Sequence, residues 1–158
     1  MKEAAWLTPE RIALAGLVLA SHQRAFGHPL LAGCGSERSP RQCAQELFMA
    51  TAAVLAHDGS ADPRLIYANR TALQLWRRDW NAMVGMPSRL TAAAAEQSSR
   101  AAALEQAHAE EAISDLSGIR IDSNGRRFQI QGARLWCLRD QEGQPCGQAA
   151  SFESWWWL

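Results

Sequence analysis

Asn124-Gly125 sits between two alternating apolar segments, Gly118 to Asp122 and Arg127 to Ile130. This dipeptide is the strongest short-range hairpin signal in a sequence, because a type I′ turn needs positive φ at both central residues. A turn centred there pairs Ile121 with Phe128 and Ile119 with Ile130 on one face, and sets Asp122 opposite Arg127 on the other. A second hairpin follows with no helix between. Its strands are Ala133–Leu138 and Cys146–Phe152, and Gly132 marks a candidate bulge. The helical patterns all lie earlier in the chain. That order predicts an α+β fold: an antiparallel sheet of about five strands, covered by helices on one face and preceded by N-terminal helices.

The earlier elements are read from caps and periodicity. Thr8-Pro9-Glu10 starts a helix that Gly27-His28-Pro29 ends near Phe26. His22 and His28 flank that helix end, where the dipole favours a cation. Residues 30 to 40 read as a loop, and Ser39 caps a second helix from Pro40. Thr51–Leu55 and Arg64–Ala68 read as strands, and the segment between them, His57 to Pro63, is dense in turn formers. His57-Asp58 is therefore assigned to a turn. Asn69 is an N-cap for a helix with Ala72, Leu73, Leu75 and Trp76 at helical spacing. Thr91–Ala112, rich in alanine, predicts a longer helix, and Ser114–Gly118 a turn. The organisation expected is an N-terminal helical extension over residues 1–50, a core over 51–154 and a tryptophan-rich tail over 155–158.

Composition narrows the function classes. The 158 residues carry 47% hydrophobic and 20% charged side chains and no net charge, which favours neither nucleic acid nor an acidic membrane as partner. All basic residues but Lys2 are arginine. Codon usage explains that most simply, and forked recognition of carboxylates or phosphates is the functional alternative. The longest apolar run, Ile12–Ala20, is far too short to span a bilayer. Val18-Leu19-Ala20 loosely resembles a signal cleavage site, but Glu3 and Glu10 beside Lys2 and Arg11 favour a cytoplasmic protein. Cys34, Cys43, Cys137 and Cys146 form no Cys-x-x-Cys pair, so zinc spacings are absent. A second-hairpin turn at Gln141-Glu142 sets Cys137 opposite Cys146, which makes a cross-strand disulfide conceivable, although two small buried apolar residues is the favoured reading.

Strand, turn, strand, short helices, a longer helix and an antiparallel finish together resemble the PAS fold. Leu65–Leu73 is similar to its strand-to-helix junction and Met83–Pro87 to the loop that follows. Tyr67-Ala-Asn-Arg70 with Ala72-Leu73, Pro87–Leu90, Gly118-Ile-Arg120, Gly125–Phe128, Leu135-Trp136 and Gly147–Ala150 resemble, in order and spacing, the MEKHLA domain family, over roughly residues 10 to 154. That family is PAS-related and occurs as small stand-alone bacterial proteins and at the C-terminus of plant homeodomain–leucine zipper factors. The resemblance implies a PAS-like pocket and sensing or protein–protein regulation. The homeodomain and zipper are absent here, so DNA binding does not transfer.

Candidate residues follow. Tyr67, Asn69, Trp76, Arg89, Ile119, Ile121, Phe128 and Trp136 are assigned to a ligand pocket between sheet and helices. Arg120, Arg127, Trp155, Trp156 and Trp157 are assigned to an interface. For Arg89, Arg120 and Arg127 the alternative is a guanidinium aimed into the pocket to fork a carboxylate. A photoactive flavin is not expected, since no cysteine stands in an Asn-Cys-Arg-Phe-Leu-Gln-like helix. Haem ligation through His108 is not expected either, because His108 lies among Glu105, Glu110 and Glu111. No metal site, nucleophilic triad or Gly-rich phosphate loop is recognisable. The function expected is a non-enzymatic sensory domain that binds a small ligand or a regulatory protein, with a homodimer as the expected assembly. A filled interaction module and a small enzyme using the same pocket are the alternatives.

Overall fold

The computed structural model describes residues 2–33 and 37–158, so Cys34 and part of the expected 30–40 loop lie outside the described residues. Helix α1 spans Pro9–Phe26 and α2 spans Pro40–Met49. The Thr8 hydroxyl accepts the Arg11 N–H, and Gly27, at φ +78°, ends α1 by donating to the Gln23 carbonyl. Ser39 and Gln42 form a reciprocal capping box at α2. Then come β1 (Ala53–Asp58), β2 (Leu65–Ala68), α3 (Arg70–Trp76), α4 (Trp80–Met83) and α5 (Gln97–Glu110). The chain closes with β3 (Ala112–Ile121), β4 (Arg127–Arg139), β5 (Pro145–Phe152) and β6 (Ser154–Trp157).

The strands form one antiparallel sheet in the order β2-β1-β5-β4-β3, with β6 also paired to β4. The five-strand path is the expected sheet of about five strands, and a sixth short strand is added because the tryptophan tail continues β5 along the same edge of β4. Strand alternation divides the core. Ala53, Leu55, Phe128, Ile130 and Phe152 pack with Trp76 and Met83 on one face. Val54, Ala56, Tyr67, Trp136 and Leu138 pack with Val18 of α1 and Leu47 of α2 on the other. Among the described residues no helix is long and apolar enough to cross a membrane.

The first hairpin corrects the expected register by one residue. Gly125 is at φ +80°, while Asn124 is not among the positive-φ residues. The Asp122 N–H donates to the Arg126 carbonyl, and the Gly125 N–H to the Asp122 carbonyl. The loop is therefore three residues, Ser123 to Gly125, a turn closed by a glycine bulge instead of a two-residue type I′ turn. Asp122 stabilises it by accepting the Asn124 and Arg126 N–H groups at 2.9 and 2.8 Å. The tip docks on the end of α3, where Ser123 donates to the Trp76 and Arg77 carbonyls. Ile121 consequently pairs with Arg127, Arg120 with Phe128, and Ile119 with Gln129. A one-residue slip exchanges the faces of a whole strand. Arg120 turns to the core face, whereas Ile119 and Ile121 lie half-buried on the outer face. Asp122 does not pair with Arg127, whose guanidinium lies 3.8 Å from Glu96.

Three further expectations are corrected. Helix α5 starts at Gln97 and not near Thr91, after two 3-10 turns at Ser88–Thr91 and Ala94–Glu96. The Ser88 carbonyl accepts the Thr91 hydroxyl, and the Thr91 carbonyl accepts the Trp76 indole N–H. Both acceptors are thus engaged away from a continuous helix. Ser114–Gly118 is strand, with Asp115 at φ +58° where the β3–β4 register shifts. Its turn-forming residues make an irregularity within the strand rather than a reversal. In the second hairpin Cys137 pairs with Gln148, not Cys146. Cys137 donates its thiol to the Ala107 carbonyl and Cys146 to the Leu138 carbonyl, and both cysteines are free.

Candidate functional site

Between α5 and the inner face of the sheet lies a cavity of about 100 Å³. Its apolar wall is formed by Leu55, Leu65, Trp76, Leu116, Ile130, Leu135 and Phe152, and its polar side chains include His57, Arg100, Arg120 and Gln148. A wider groove of about 570 Å³ runs from Leu30 to Ser154 on the other side of the molecule, and it is more open and more polar.

Local sequence explains how each polar group arrives. In β1, Ala53, Leu55 and His57 alternate onto the cavity face, which carries the expected turn residue His57 into the site as part of the strand. In α5, Arg100, Ala103, Leu104 and Ala107 follow the i, i+3, i+4, i+7 spacing of one helix face. The alanines let this helix approach the sheet closely. Gln148 donates to the Leu104 carbonyl at 2.9 Å, and Cys137 reaches the Ala107 carbonyl one turn along. Arg120 lies folded over Gly118: a Cβ at that glycine would stand 2.9 Å from its Nη1. The same nitrogen donates to the Ile119 carbonyl at 2.9 Å.

The electrostatics are unbalanced toward positive charge. Burial pushes the Arg120 pKa down to about 10 against the opposing pull of Glu96. Burial, and then the charge of Arg120, pushes Arg100 down to about 10. Both stay protonated at neutral pH. Arg100 makes no hydrogen bond or ion pair among the described residues. Glu96, the nearby carboxylate, points one oxygen at Arg127. Burial holds the His57 pKa below its usual range, and the charge of Arg100 adds to that. His57 Nδ1 lies 2.9 Å from the Asp58 carbonyl, so Nδ1 carries the proton and donates. That assignment leaves Nε2 as an acceptor, and it is buried without a partner.

Of the residues assigned to a pocket from sequence, Trp76 lines this cavity. Phe128 packs beside it, ring centroids 5.0 Å apart, within the same core. Tyr67 and Trp136 lie on the opposite face, edge-on to Trp80 and to His22 respectively. Asn69 uses its whole amide on backbone groups near the α3 start. Arg89 is exposed and 3.2 Å from Asp62. Ile119 and Ile121 face outward. Of the residues assigned to an interface, Arg120 is in the cavity and Arg127 is exposed. Trp155 and Trp157 pack edge-on against Phe152 and Phe128, whereas Trp156 stays 49% exposed. His108 is exposed and does not line the cavity. Sequence reasoning missed Arg100, Gln148 and the role of His57; the helix-face spacing from Arg100 to Ala107 was the available signal.

The comparisons agree with this architecture. The sequence matches the MEKHLA domain family over residues 12–157. No curated protein matches it. Among solved structures, it resembles a PAS domain of a protein from Colwellia psychrerythraea, with TM-score 0.63 and 12% identity, covering 70% of this chain and 92% of that one. It also resembles an RNA-binding light-oxygen-voltage receptor, with TM-score 0.64 and 18% identity, covering 79% of this chain but only 35% of that one. A light-oxygen-voltage domain studied with a flavin analogue gives TM-score 0.59 at 15% identity, covering 78% and 88%. At such identities the likeness is one of fold.

Proposed function

The chain belongs to the MEKHLA domain family and has the PAS fold, typically a sensory one, and from that premise we propose that it senses a small molecule held between α5 and the sheet. The observation that carries this reading is the buried, partnerless His57 Nε2, an acceptor with no protein donor on a residue that lines the cavity. An acceptor taken from water with no protein donor costs about 1–3 kcal/mol, which a ligand donor would recover. Occupancy is reported through α5, whose polar ties to the sheet are the Gln148 and Cys137 bonds to its carbonyls. A filled interaction module has no comparable account of this cavity.

A flavin does not fit. The cavity is about 100 Å³, whereas pockets for drug-sized ligands start near ~300 Å³. No cysteine is among its lining residues. The ligand is therefore small, below the size of benzene in an engineered cavity of about 150 Å³ or close to it.

Native mass spectrometry of freshly purified protein tests the proposal. A retained small-molecule mass is expected in the wild type, and Ala103→Leu, which fills the cavity from α5, should abolish it. No retained mass, together with no thermal shift across a panel of small charged and neutral compounds, overturns the reading.

A further inference from the structure

Three arginines line one small cavity; the Arg134 guanidinium is turned to His22 and Phe26, which leaves two guanidinium groups to share it. Arg100 reaches it from α5 and Arg120 from β3, so neither position follows from the other in sequence. Arg120 spends one donor on the Ile119 carbonyl, and Arg100 has no protein acceptor among the described residues. A guanidinium offers five donors in a planar fork, and its strongest acceptors are carboxylate and phosphate oxygens. No carboxylate is among the lining residues. The two like charges raise each other's energy, and an anion between them removes that penalty.

The other features narrow the anion. Most of the remaining wall is apolar, built from Leu55, Leu116, Ile130 and neighbouring side chains, which suits a short hydrocarbon body. His57 Nε2 is an unprotonated acceptor, which repels an oxyanion and asks for a donor. An inorganic sulfate would leave this acceptor unpartnered, and sulfate or phosphate alike would set its charge against the apolar wall.

We propose that the cavity selects a short-chain hydroxycarboxylic acid: the carboxylate is forked by Arg100 and Arg120, and the hydroxyl donates to His57 Nε2. This rests on the cavity being a ligand site, as argued above. Gly118 then has a function, because it leaves the space in which the Arg120 side chain lies over the strand.

The test is calorimetric titration of the full chain with glycolate, lactate and 3-hydroxybutyrate. The controls are acetate, propionate and butyrate, the neutral lactamide, and inorganic phosphate. At least one hydroxy acid should bind about tenfold or more tighter than its deoxy partner and than lactamide. Arg100→Gln and Arg120→Gln should each weaken it by about tenfold or more, and Arg89→Gln should not change it. His57→Phe should erase the preference for the hydroxyl while acids still bind. Circular dichroism and thermal melts check that each variant is folded. Gly118→Ala gives a second route to the Arg120 contact if Arg120→Gln does not fold. Equal binding of butyrate and 3-hydroxybutyrate overturns the role of His57. Tighter binding of lactamide or of phosphate than of any acid overturns the acid assignment, and lactamide binding would leave the ligand site standing. Binding of none of these compounds, while native mass spectrometry still shows a retained molecule lost in Ala103→Leu, also overturns the acid assignment alone.

Discussion

Asn69 shows how much one buried amide decides. Its Oδ1 accepts the Val54 and Ala72 N–H groups at 2.9 and 3.1 Å, and its Nδ2 donates to the Leu47 and Ala52 carbonyls at 3.1 and 2.8 Å. One side chain thus caps α3, ties it to β1 and holds the end of α2. The cap was readable from the residue type and its place before a helical run. The other three bonds were not, because their partners come from distant segments. Asn69→Ala leaves several buried backbone groups without partners, and we expect a loss of about 3 kcal/mol in urea unfolding. A loss below about 1 kcal/mol would reduce Asn69 to a simple cap. Arg120 makes the same point from the opposite side. Its chemistry was visible in the sequence, and the face it occupies was not.

At the scale of elements, both hairpins use one device. Asp122 accepts two N–H groups across Ser123-Asn-Gly125, and Asp140 likewise accepts the Glu142 and Gln144 N–H groups around Gly143 at φ +78°. The repeated Asp-x-x-Gly spacing was available in the sequence and outranks the Asn-Gly pair. Register follows from it, and register places Arg120. Gly147 carries a second element-scale constraint. It pairs with Asp58 at φ +150°, and a Cβ there would overlap the His57 carbonyl oxygen on β1. Gly147→Ala must therefore push β1 from β5, at a cost of about 3 kcal/mol or more. Equilibrium unfolding that shows Gly147→Ala as stable as wild type would refute this close approach.

At the scale of the whole molecule the sheet is a partition. Its inner face holds the cavity, and its outer face buries α1 and α2. On that outer side His22 is fully buried, in contrast to the expectation of a helix-end cation. Its Nδ1 lies 3.1 Å from the His28 carbonyl and its Nε2 3.2 Å from Arg134. Phe26 and Trp136 enclose the ring. Burial, aided by the charge of Arg134, pushes the His22 pKa down to about 4 from an ordinary 6.5. The unfolded chain therefore binds a proton that the fold excludes between those values. Its contribution to stability is complete above pH 6.5 and is lost as pH falls toward 4. His57, depressed by its own burial, acts in the same direction. Urea midpoints measured at several pH values across that window should fall more steeply in wild type than in His22→Gln. Parallel curves for the two proteins would contradict it.

By itself the sequence determined what short-range physics determines. Helix starts at Thr8, Ser39 and Asn69, the breaks at Gly27 and Gly85, the alternating strands after residue 118 and the family resemblance all rest on neighbours within a few positions. Only the tertiary structure decided which face each strand presents, because a single residue in the Ser123–Gly125 loop exchanges them, and that residue is fixed by docking on α3. It also decided that Arg100, Arg120 and His57 meet. They come from a helix and two non-adjacent strands, and the folded sheet brings them around one cavity where burial weakens the screening of the two guanidinium charges.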